Sequence, residues 1–162
     1  VKQDFASIRD KTSKAVAAYV WLFLIASVGT LLVIFPLLKL IKPASVPTLE
    51  VFLPLILYYF LYQQHSVHAS YIANANIIPY TKAFLISAGA NLVGLWLGLE
   101  LTNGNIYFLL FFPILVQAAY NNWRWPSYYY KMIDSTLLSS IKQGTIAWGK
   151  TFANFFKSGS NV

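Results

Sequence analysis

The chain contains no cysteine. A disulfide framework and cysteine-ligated metal sites are therefore closed to it. Charge is nearly as scarce. Only 10% of the residues are Asp, Glu, Lys or Arg, against roughly 25% in ordinary soluble domains. That is too little charge to cover a globular surface of this size. Five acidic residues and two histidines also leave little for acid–base or metal chemistry. There is no nucleophilic triad, no phosphate-binding glycine loop and no pair of carboxylates, and Glu100 stands alone at a helix end. No enzymatic activity and no cofactor are expected.

What the chain has in abundance is apolar surface, at 57% hydrophobic residues. Residues 15–38 include no Asp, Glu, Lys or Arg. As a helix this run is about 36 Å long, enough to cross a hydrocarbon core of roughly 30 Å. Lipid offers backbone N–H and C=O groups no partners, so a crossing segment must be helical. The run is longer than the apolar core of a signal peptide, and no small-residue cleavage site follows it. The net charge of +7 comes from lysines and arginines that flank apolar runs. That placement points to lipid headgroups and not to nucleic acid. The chain opens at Val1 without Met, and it is expected to be a piece of something longer.

The pattern predicts an all-α, polytopic transmembrane bundle of about four spans, followed by an amphipathic helix. The first span is 15–38, with Pro36 bending or ending it and Lys39 and Lys42 marking its exit. Thr48 is placed to cap the second, 51–72, with Glu50 in its first turn. The third covers 83–99, where Ala90, Gly94 and Gly98 recur every four residues. Small residues at that spacing let two helices approach closely in lipid, and they are the expected packing face. The fourth is 106–120, with Pro113 as a kink, and it runs into an interfacial aromatic belt over 121–130. The four spans make one domain, 1–133. In the tail, 134–162, Leu137, Ile141, Trp148, Phe152 and Phe155 form a stripe apart from Lys142, Lys150 and Lys157, which predicts a helix lying on the membrane surface. Gly144 and Gly149 weaken that helix.

Basic residues set the orientation. Lys2, Arg9, Lys11, Lys14, Lys82, Arg124, Lys131, Lys142, Lys150 and Lys157 fall on one side, and Lys39 and Lys42 on the other. The positive-inside bias places both termini in the cytoplasm.

His65 and His68 share a helix face, but a metal site ordinarily needs a third protein ligand, and no metal is expected. The polar stripe is more informative taken whole. Gln64, His65, His68 and Tyr71 lie on one face of the second span. Asn91 and Gln117 add uncharged hydrogen-bonding groups to the third and fourth. Polar groups at this depth meet protein or a water-filled cavity. Two readings stand side by side. Many donors and acceptors with little fixed charge suit a hydroxyl-rich sugar path. Interhelical bonds of roughly 0.6 kcal/mol each that only hold a bundle together would look the same.

Two stretches carry a family resemblance: HSVHASYIANANIIPYTKAFLIS (65–87) and QAAYNNWRWP (117–126). The first includes an Asn-x-x-Pro-aromatic-x-Lys turn through Asn76, Pro79 and Lys82. The second includes Asn121, Asn122, Trp123, Arg124, Trp125 and Pro126. Over residues 1–133 the chain resembles the polysaccharide and O-antigen flippases of the multidrug/oligosaccharidyl-lipid/polysaccharide exporter superfamily, and specifically their carboxyl-terminal portion. The resemblance implies alternating access between two helical bundles, a bacterial plasma membrane location and an undecaprenyl-linked oligosaccharide as substrate. It also implies the remaining amino-terminal helices of the same transporter as partners, besides the lipid bilayer. These spans lack the intramembrane charges that family members use on the anionic carrier, so no coupling or catalytic residue carries over. The alternative from the residues alone is a small four-span scaffold or assembly subunit that transports nothing.

Overall fold

The computed structural model describes residues 4–76 and 78–159. Every regular element among these residues is helical. The first helical run extends from 5 to 41 as α1 (Phe5–Gly29), a π-helical turn (Thr30–Ile34) and α2 (Phe35–Ile41). It begins well before the uncharged segment. Asp4 caps it through Ser7 N at 3.1 Å, and Lys14 pairs with Asp10 one turn back at 2.7 Å, both of which support an exposed helical start. At Pro36 the run departs from regular α geometry without ending. The proline has no N–H for the Leu32 carbonyl, and its ring crowds that carbonyl, so the turn just before it widens to π geometry.

After a 3-10 turn (Pro43–Ser45), α3 spans Leu49–Ala73. The Thr48 side chain makes no capping bond. Its carbonyl instead accepts from Val51 and Phe52, while Glu50 accepts from the Tyr107 hydroxyl at 2.7 Å. α4 covers Thr81–Thr102. Asn103 and Gly104, with φ of 51° and 79°, turn the chain, and Asn105 caps α5 (Ile106–Val116) by accepting from Tyr107 N. A second π turn (Gln117–Asn121) leads into α6 (Asn122–Met132), and α7 covers Leu137–Gly159.

The helices 5–41 and 81–102 are long and apolar enough to cross a membrane. Their apolar side chains face outward: Leu22, Ile25 and Leu32 on the first, and Ile86 and Leu92 on the second, are all exposed. A soluble protein's core helix would have these positions covered.

Contacts divide the chain into two compact units: Val1–Leu31 with Tyr130–Val162, and Leu32–Tyr129. The expected division, 1–133 and 134–162, does not coincide with these. In the first unit α1 meets α7 at Gly144. A Cβ there would sit 2.5 Å from the Ser13 carbonyl carbon and 2.6 Å from the Ala17 Cβ. Trp148 Nε1 donates to the Lys14 carbonyl at 2.9 Å, and Trp21 Nε1 to Thr145 Oγ1 at 2.9 Å. The first half of α7 thus packs on protein, while Phe152, Phe155 and Phe156 beyond it are exposed.

In the second unit α4 and α5 form an antiparallel hairpin. Gly94 and Gly98 are buried beneath the Phe112 ring. Ala90 is exposed, so within this chain the close approach uses two of the three expected positions. α3 runs alongside α5 in the same direction, joined at one end by Glu50 and Tyr107 and at the other by Gln64 and Asn122.

Candidate functional site

The second unit gathers its buried polar groups where α3, α4 and the π turn 117–121 meet. His65, His68, Gln117 and Asn121 are each at most 6% exposed. No acid, lysine or arginine is among the buried residues of this unit.

α3 contributes through its own backbone as much as through its face. His68 Nδ1 donates to the Gln64 carbonyl at 2.7 Å, and His65 Nδ1 approaches the Leu61 carbonyl at 3.4 Å. A carbonyl only accepts, so Nδ1 of His68 carries the proton, and Nε2 is the acceptor nitrogen of the neutral ring. Aromatic rings enclose both imidazoles. Tyr62 and Phe84 stand edge-on to His65 at 5.3 Å each, and Tyr71 and Tyr129 lie 6.1 and 6.0 Å from His68.

The π turn supplies the opposite wall. Gln117 and Asn121 are buried, and the three residues between them are exposed. The widened turn bonds the Asn122 N–H to the Gln117 carbonyl, which also accepts from Asn122 Nδ2 at 3.0 Å. Pro126 has no N–H to offer the Asn122 carbonyl four residues earlier. Gln64 reaches that carbonyl from α3 in a long contact of 3.5 Å. Asn121 is fully engaged: its Nδ2 donates to Ser87 Oγ at 3.0 Å and its Oδ1 accepts from Trp125 Nε1 at 3.1 Å. Three other amide oxygens of this unit differ. Asn91 Oδ1, Gln117 Oε1 and Asn122 Oδ1 are buried and accept no hydrogen bond from the described residues. Asn91 lies one turn along α4 from Ser87, and Gln117 one π turn from Asn121, which bonds Ser87.

The structure therefore links Gln64, His65 and His68 on α3 to Gln117 through Asn122, with Tyr71 against Tyr129 at 5.1 Å, while Asn91 Oδ1 accepts no hydrogen bond from any of them. Among the turn residues, Asn76 adopts a left-handed φ of 58°, which asparagine tolerates better than most residues. Pro79 and Lys82 are exposed. Trp125 and Pro126 are buried, whereas Trp123 and Arg124 are exposed. The expected aromatic belt is thus split, because Trp125 and Tyr129 face protein. Ser87 and Phe84, which the sequence offers only within the stretch 65–87, belong to the site, as does Tyr129, expected instead in the aromatic belt. Their spacing on their own helices carries no mark, and only the long-range partner gives them a role. No group of three or more His, Asp or Glu that could hold a metal ion occurs among the described residues.

Chemically the site is neutral and offers amide oxygens whose free capacity is to accept. Buried acceptors of this kind favour a group that donates, such as a hydroxyl. Compared with family models, with curated proteins and with solved structures, the chain matches none.

Proposed function

We propose that this chain is part of a membrane transporter that helps flip a lipid-linked oligosaccharide across a bacterial plasma membrane. In this reading four spans cross the bilayer, both termini are cytoplasmic, and the substrate is an undecaprenyl-linked sugar chain. Helices 5–41 and 81–102, long, apolar and outward-facing, support the membrane setting. The quoted sequences 65–87 and 117–126 support the family. The single observation that carries the function is the set of three unmet, uncharged amide acceptors in the unit whose buried imidazoles are enclosed by aromatic rings. A sugar presents hydroxyl donors to such oxygens and apolar C–H faces to such rings, with no ion to desolvate.

The scaffold reading draws on Asn121, whose amide is fully used inside the protein. One experiment separates the two readings. An acceptor without a partner adds nothing to stability, and replacing it by an apolar group is neutral or stabilising. Asn91→Leu and Gln117→Leu should therefore melt at or above wild type. If the oxygens serve a sugar path, the same variants lose surface polysaccharide in cells that depend on this protein, at unchanged protein levels. If transport persists in both, the site only holds helices together and the scaffold reading replaces ours. Asn121→Leu breaks two bonds and should lower stability in either case, by about 1 kcal/mol per bond.

A further inference from the structure

The first unit contains a second polar feature, unrelated to the amide cluster. A cleft of about 540 Å³ lies between the first turns of α1 and the start of α7. Six of its residues matter here: Arg9, Asp10, Ser13, Asp134, Ser135 and Ser139.

Ser13 is the least expected of them. It is 2% exposed, and its Oγ has no hydrogen-bond partner. A serine or threonine inside a helix commonly turns its hydroxyl onto the carbonyl four residues back. Thr30, Ser70 and Thr151 all do so in this chain, at 2.8 to 3.0 Å. Ser13 does not, and it lines the cleft instead. Beside it, Arg9 is held by one donation, from Nη1 to the Asp134 carbonyl at 3.2 Å. Its distance to the Asp134 carboxylate, 3.7 Å, is too long for a hydrogen bond. A guanidinium has five N–H donors in a planar fork, so most of its capacity is left for a ligand. Ser135 Oγ and Ser139 Oγ, 3.2 Å apart, add rotatable hydroxyls.

Charge narrows the ligand. Asp10 is neutralised by Lys14 at 2.7 Å. That leaves the partly exposed Arg9 and the fully exposed Asp134 side chain as the charges to be met. A simple anion on Arg9 would meet the Asp134 carboxylate. A ligand with a phosphate and a primary ammonium satisfies both. Depth agrees with this. Ser13 lies about 3 Å and Arg9 about 9 Å along the helix before the uncharged segment begins at Ala15, which is the headgroup layer of a bilayer. Trp148, bonded to the Lys14 carbonyl, marks the same level as an interfacial tryptophan would.

We propose that this cleft binds a phosphoethanolamine group. The phosphate accepts from Arg9 and Ser13, and the ammonium donates to Asp134. The source is either the headgroup of phosphatidylethanolamine or soluble phosphoethanolamine. The test uses the full chain in detergent, titrated with phosphatidylethanolamine, phosphatidylglycerol and phosphatidylcholine of equal acyl length, with bound lipid read by native mass spectrometry. Phosphatidylethanolamine should bind about tenfold more tightly than the other two. Ser13→Ala and Arg9→Gln remove phosphate contacts common to the three lipids, so each should weaken the binding of all of them. Asp134→Asn should weaken phosphatidylethanolamine, strengthen phosphatidylglycerol and so erase the preference, because of the two cleft carboxylates it removes the one that no lysine pairs. Ser13→Ala should melt at or above wild type, which keeps loss of fold apart from loss of binding. A rise in melting temperature with millimolar soluble phosphoethanolamine identifies the soluble source, and no rise beside selective lipid binding identifies the headgroup. Equal binding of the three lipids with no response to phosphoethanolamine overturns the proposal. So does a Ser13→Ala variant that binds phosphatidylethanolamine as wild type does.

Discussion

At the scale of single residues, three glycines with similar local surroundings have different duties. Beneath Gly94, a Cβ would stand 2.9 to 3.0 Å from the base of the Phe112 side chain, where rotation gives little relief. At Gly98 the same ring is 3.4 Å away, an ordinary contact. Gly94→Ala should therefore destabilise by about 1–3 kcal/mol through overpacking. Gly98→Ala should be neutral or slightly stabilising, since alanine gains up to about 1 kcal/mol in helix propensity. Melting temperatures of the two variants in detergent check the contrast, and equal losses would show that Phe112 does not set the approach. Gly144 is the most exacting, because a Cβ there overlaps the Ser13 backbone, which cannot rotate away. Gly144→Ala should cost about 3 kcal/mol or more and expose α7 to limited proteolysis. The sequence makes the first pair legible, through small residues four apart. It hides Gly144, which reads as a flaw in an amphipathic helix until its partner, more than a hundred residues earlier, is known.

At the scale of elements, the helices were legible because lipid-length uncharged runs and prolines are local signals. Pro36 and the 102–105 turn fell where the residues put them. The π turn at 117–121 was not legible. It lies just before Pro126, as the π turn 30–34 lies just before Pro36, and the bonds made there with Gln64 and Ser87 come from distant helices that no single window of sequence contains. The turn also gives Pro126 a duty beyond shape. By withholding an N–H it leaves the Asn122 carbonyl for Gln64. Pro126→Ala restores an N–H that competes for that carbonyl, so Gln64 should lose its partner and α6 should gain regularity. Amide hydrogen exchange reads the change directly. The amide introduced at position 126 should be protected, and protection across 117–122 should rise as the π turn relaxes toward α geometry. An unprotected amide at that position would mean that the turn is fixed by its surroundings and not by the proline.

At the scale of the whole molecule, the polar half of α3 decides between two and four spans in the proposed membrane setting. Helices 5–41 and 81–102 qualify on length and composition alone. With the amino end cytoplasmic, as proposed, and only these two crossing, the segment between them, including the end of α3, lies outside the cell. If α3 and the α5–α6 run cross as well, as proposed, the end of α3 is cytoplasmic. Composition disfavours crossing by α3, because Gln63, Gln64, His65, Ser66, His68 and Ser70 crowd its second half. Contacts favour it, because His65 and His68 are covered by α4 and α6 side chains and not left to lipid, and a polar face that meets protein is tolerated in a bilayer. The chain has no cysteine, so single substitutions report cleanly. Ser45→Cys is nearly isosteric and sits on an exposed turn. It is a better probe than Asn103, whose left-handed backbone resists substitution. Ser45→Cys should react with an impermeant maleimide on intact cells, and Asn154→Cys should react only after lysis. Both outcomes are common to two and four spans and establish the orientation. Asn74→Cys, at the exposed end of α3, separates the alternatives. Labelling only after lysis supports four spans. Labelling on intact cells would leave α3 outside the bilayer, and its histidines and glutamines would then be lining nothing that crosses a membrane.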